Sequence, residues 1–145
     1  MNIKQLFFLV LLFLSCVTIC FFVYLPFRLE ASDILWSNLK PSIYYVELRE
    51  FRHSEENSWR LIIQDEELVM TESIKSESSE IQSYPLTALF EVVRNNCVGS
   101  NNCVELAFNN THFFVERLVI YDWQGIEVLY FESCENLAVC EKNSA

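Results

Sequence analysis

Four cysteines of this chain stand in two pairs of equal spacing, Cys97 with Cys103 and Cys134 with Cys140, each C-x5-C. Such a set closes disulfides, holds a metal, or cycles between thiol and disulfide. Zinc knuckles favour C-x2-C or C-x4-C, and His53 and His112 lie away from these cysteines in sequence, so no metal centre is expected. Paired cysteines behind an export segment predict disulfides made in an oxidising compartment. Four cysteines allow three connectivities; the local one, Cys97–Cys103 with Cys134–Cys140, is the expectation. Thiol-redox chemistry at one C-x5-C pair is the rival.

Other chemistry finds less support. Nucleophilic catalysis needs a Ser or Cys beside a His, and both histidines fall in predicted turns. Glu47, Glu105 and Glu116 fall on predicted strands and read as a solvated sheet face rather than a pair of catalytic carboxylates. Asp65-Glu66-Glu67 lacks the glycine and ordered spacing of a calcium loop. The chain's two glycines, Gly99 and Gly125, are too few and too far apart for a phosphate-cradling loop or a dinucleotide fingerprint. No cofactor is expected. Asn109-Asn110-Thr111 is an N-x-T glycosylation triplet. Five aromatic residues, Tyr45, Phe51, Phe114, Trp123 and Phe131, are placed on the sheet face away from the helix. Gathered there they make a partner-binding patch, unless the 30–40 helix or the acidic loop covers that face.

The elements that position these residues begin with an anchor. Leu6–Phe27 is uncharged over 22 positions, with Lys4 before it and Arg28 after it. A helix of that length spans about 33 Å, enough for a hydrocarbon core. Leu29-Glu30-Ala31 is a poor signal-peptidase exit, so the segment reads as an uncleaved anchor. A pilin-type reading fails because the span contains no acid. The expected organisation is an anchor over 1–28, a juxtamembrane helix over 29–41 capped by Ser32, and an extracytoplasmic domain over 42–145. Residues 29–145 carry 20 acids against 8 bases, a net charge near −12. A surface that negative repels phosphate backbones, which argues against nucleic acid as a partner.

Alternation predicts strands over Ser42–Arg52, Trp59–Gln64, Leu68–Ile74, Cys103–Phe108, Phe113–Tyr121 and Ile126–Ser133. Tyr44, Val46, Leu48, Trp59, Leu61, Ile63, Val104, Leu106 and Phe108 are expected inward. Ser83 and Pro85 announce a helix over 84–95, whose Leu86, Leu89, Phe90 and Val93 make one buried stripe. Asp122 to Gly125 reads as a four-residue turn. These elements predict an α+β domain: one antiparallel sheet of about six strands with a helix packed on one face.

The Tyr44-Tyr45 strand, the hairpin RLIIQDEELV, the helix PLTALFEVVRNN and the ending FVERLVIYD resemble a bacterial exported family catalogued as domain of unknown function 6174, over about residues 42–122. The resemblance implies fold and exported location, with no activity attached. The expectation is therefore a single-pass protein of a bacterial inner membrane, held through residues 6–27, with its domain in the periplasm or outside. Its role is expected to be a non-enzymatic interaction or accessory module binding another protein. A thiol-redox enzyme and a structural subunit of a membrane complex are the alternatives.

Overall fold

The computed structural model describes residues 2–53, 55–75, 85–98, 100, 102–122 and 124–144. Its first element, helix α1, runs unbroken from Ile3 to Leu39 with Pro26 inside it. The helix does not restart at Ser32, which lies within α1 and is buried. Leu29, Ser32 and Trp36 follow at helical spacing and bury one stripe against the domain. That burial favours continuing the helix, and a membrane-type helix tolerates the one backbone bond lost at Pro26. The Lys40 amide donates to the Trp36 carbonyl at 2.8 Å, and Pro41 stops the helix as expected.

Six strands follow: β1 (Ile43–Arg52), β2 (Glu55–Gln64), β3 (Glu67–Lys75), β4 (Cys103–Phe108), β5 (Val115–Ile120) and β6 (Gln124–Ser133). They form one sheet in the order β3-β2-β1-β6-β5-β4, antiparallel throughout. Two three-stranded meanders thus join where the first and last strands pair. β2 begins at Glu55, so most of the polar loop expected over 53–58 is strand, and His53 before it has φ 57°. Asp65 and Glu66 turn β2 into β3, both with positive φ as a two-residue hairpin requires.

Helix α2 (Leu86–Val93) and one π-helical turn (Arg94–Val98) join the two meanders. Leu86, Leu89, Phe90 and Val93 are all buried, as the stripe predicts. The proposed capping residue Ser83 lies outside the described residues. The Tyr44 hydroxyl instead accepts a bond from the Leu86 amide at 3.3 Å, satisfying one amide of the first turn. Burial raises the Tyr44 pKa well above the ordinary phenol value. The Trp36 indole donates to Thr87 Oγ1 at 3.0 Å and meets Tyr44, Phe114 and Phe131 edge-on. Arg94 ties the end of α2 back to α1 through Glu30 at 2.9 Å and through Asp33. The hydrogen bond from Arg94 holds the Glu30 carboxyl below its usual range.

The main core lies between the sheet and these helices. Tyr44, Val46 and Leu48 of β1 and Trp59, Leu61 and Ile63 of β2 face it as expected. Val104 does not. It is the extra residue in a bulge between Cys103 and Glu105, and it is exposed. On the other face Tyr45, Ile62 and Cys140 form a second buried cluster. It is covered by α3 (Leu137–Ser144), a helix the C-terminal residues did not announce.

Candidate functional site

Both cysteine pairs close locally. Cys97 joins Cys103 across the loop from the π-turn to β4, with Cα atoms 4.7 Å apart. Cys134 joins Cys140, with Cα atoms 5.5 Å apart, and fastens α3 to the end of β6. Cys140 is fully buried. Among the described residues no group of three or more His, Cys, Asp or Glu side chains is placed to hold a metal.

The five aromatic residues do not gather into an exposed patch. Tyr45 is buried beneath α3. Phe114 is buried in the opposite, helix-side core, and Phe131 packs against that core as well. For Phe131 the cause is a bulge in β6. Val46 pairs with Phe131 and Leu48 with Val128, so Leu129 is an extra residue that reverses the alternation. Phe51 is half-buried and pairs with Gly125. Gly125 is therefore not a turn residue. A Cβ there would collide with the Leu118 carbonyl and the Phe51 ring, so only glycine fits under that ring. Trp123 lies outside the described residues.

The face away from α2 carries a row of charges instead. Arg60 of β2 pairs with Glu47 of β1 at 3.2 Å and with Glu72 of β3 at 3.5 Å. Arg49 of β1 pairs with Glu56 of β2 and Glu127 of β6, and Arg117 of β5 with Glu127 at 2.8 Å and Glu105 of β4 at 3.1 Å. Glu47 and Glu105 thus lie on the polar face, as expected, but neutralised by arginines. Burial pushes the Glu127 carboxyl up, yet hydrogen bonds from Arg49 and Arg117 outweigh it and leave its pKa lowered. Tyr45 donates to Glu47 at 2.5 Å. Such a row holds the strands in register and leaves no group poised to react.

The structure opens a cleft that sequence reasoning did not find. β5 pairs with β6 only from Arg117 and Glu127 to Ile120 and Gln124. Beyond that point the strands part. Bulges stand on both sides of the split: Leu129 in β6, and Glu116 in β5 as the extra residue opposite Ala107 and Phe108. The gap holds about 310 Å³. Asn109, Thr111 and His112 of the β4–β5 turn form its rim, Glu116 and Tyr130 its sides, and Phe131 its apolar wall. The His112 ring lies 4.8 Å from that of Phe131. Asn109 Oδ1 accepts from the amides of Thr111 and His112 at 3.0 and 2.8 Å, and its Nδ2 reaches Glu116 at 3.4 Å. The side chain of the glycosylation triplet is thus engaged in an Asx-turn.

Phe113, next to His112, has φ 66°, a left-handed conformation that costs a bulky residue energy and recurs at functional sites. The sequence signal that bears on this cleft is the run of aromatics around a turn. The bulges that open it follow from long-range pairing and leave no local pattern. Comparison of the chain with known protein families, with curated proteins and with solved structures finds no match.

Proposed function

We propose that this protein is a membrane-anchored extracytoplasmic interaction module, with its domain in the bacterial periplasm or outside the cell. One helix, Ile3–Leu39, is long and apolar enough to cross a membrane. The observation that carries the reading is that the same helix supplies Leu29 and Trp36 to the domain core. An anchor that is also core is built to hold a domain at a fixed attitude to the bilayer, which suits engagement of partners there. The two local disulfides favour an oxidising compartment.

Membrane-impermeant protease added to spheroplasts tests the placement. Digestion of the domain with survival of an anchor-sized fragment is the expected result. Full protection until lysis would place the domain in the cytoplasm and overturn the reading. For the thiol-redox alternative, Cys140 is fully buried while Cys97, Cys103 and Cys134 are part-exposed, so Cys97–Cys103 is the pair whose two sulfurs an attacking thiolate could reach. Titration of the native protein should find no free thiol in residues 29–145. A pair that opens with mild reductant and cycles would favour the redox reading instead.

A further inference from the structure

The cleft between β5 and β6 sits beside the point where the chain leaves the apolar span. Arg28 closes that span and lies across the tip of the β4–β5 turn. Its guanidinium is 5.5 Å from the centre of the Phe108 ring, and it donates to Asn110 Oδ1 and to the Tyr24 hydroxyl, each at 3.4 Å. A tyrosine and an arginine one helical turn apart at the end of an apolar run belong at headgroup level. Asn110 stands between Asn109 and Thr111 on the cleft rim. The apolar wall, Phe131, packs on Trp36, eight residues beyond Arg28, about 12 Å further along a helix. With α1 in a bilayer, the cleft therefore lies alongside the helix from the headgroups outward by about that distance.

We propose that the cleft binds the ammonium-bearing head of a zwitterionic phospholipid from the leaflet that α1 leaves. This inference rests on the membrane-anchor reading above and adds a ligand to it. The bulge at Glu116 places a carboxylate in the gap, and the bulge at Leu129 brings Tyr130 and Phe131 from opposite faces of the sheet to line it. A carboxylate that shares a cleft with aromatic rings is the chemistry that recognises an alkylammonium: ion pairing from one, cation–π attraction from the other. The phosphate of such a head lies a few bonds back towards the bilayer, on the side of Arg28. An anionic head, by contrast, meets Glu116 and a domain near −12.

The test uses the full-length protein in vesicles of phosphatidylethanolamine with phosphatidylglycerol, one composition in both leaflets so that orientation does not matter. Native mass spectrometry after release counts the lipid retained. Wild type should retain phosphatidylethanolamine over phosphatidylglycerol by roughly tenfold, and Glu116→Gln should abolish that preference. Tyr130→Leu, a change at a half-exposed ring, should weaken it severalfold. Glu105→Gln, on the charged row, should leave it unchanged. Matching melting curves guard against a folding defect. Glycerophosphoethanolamine added to detergent-solubilised protein should shift the His112 ring resonances, which shows that the head alone, free of its chains, occupies the cleft. Equal retention of the two lipids by wild type, or an unaltered preference in Glu116→Gln, would overturn the proposal. Failure of the protein to float with the vesicles would overturn the anchor reading itself, and the cleft proposal with it.

Discussion

Gly125, the second residue of β6, lies between Val119 of β5 and Phe51 of β1, and the Phe51 ring covers it. Gly125→Ala should therefore overpack the sheet and cost about 1–3 kcal/mol, read as a fall in the chemical-denaturation midpoint. Phe90→Ala, at the centre of the α2 stripe, should cost about 3–5 kcal/mol by leaving a cavity; a melting temperature within a degree or two of wild type would disprove that packing. Glu127 gives a pH signature. Its pKa is lowered in the fold, so its contribution is fully present above the ordinary carboxylate value and is lost as pH falls through the lower folded value. Unfolding followed from pH 6 to pH 2 should show wild type losing more stability than Glu127→Gln below about pH 4. Single residues were legible where alternation held. Tyr44, Val46 and Leu48 point inward as read, because β1 is regular there. Phe131 was misread, because the extra residue that turns it inward is a property of the β1–β6 pairing and not of β6 alone.

Elements were easier to read than their joints. The six strands and α2 follow from hydrophobic period, with boundaries shifted by a few residues. The split of β5 from β6 was invisible, since it needs two bulges on different strands. α3 was missed because it is held by a covalent clip and by Leu137 rather than by an amphipathic pattern of its own. That clip predicts its own test. Replacing both Cys134 and Cys140 by Ala should cost about 2–3 kcal/mol for a ring this short and should uncover Tyr45. Hydrogen exchange would then rise at Tyr45 and Ile62 while the helix-side core stays protected. Uniform loss of protection across both faces would mean that α3 supports the whole sheet.

For the molecule as a whole, the least expected property is that anchor and domain share one helix. Composition marked an apolar span and then a globular remainder, and a boundary at residue 28 followed. Trp36 argues for a deeper overlap, since it meets three aromatic rings of the domain. A fragment of residues 29–145 should fold, with dispersed amide resonances, whereas residues 41–145 should not, having lost Leu29 and Trp36. A folded 41–145 fragment would show that α1 only leans on a self-sufficient sheet. One continuous helix, with Pro26 inside it, joins span to sheet, so the domain follows the rod that carries it. When the bilayer thins, a long apolar helix tilts to keep its length in oil, and the sheet must lean through the same angle. Lipid thickness is thereby converted into the compass bearing of the sheet, whose faces would turn relative to the bilayer plane as the membrane thins.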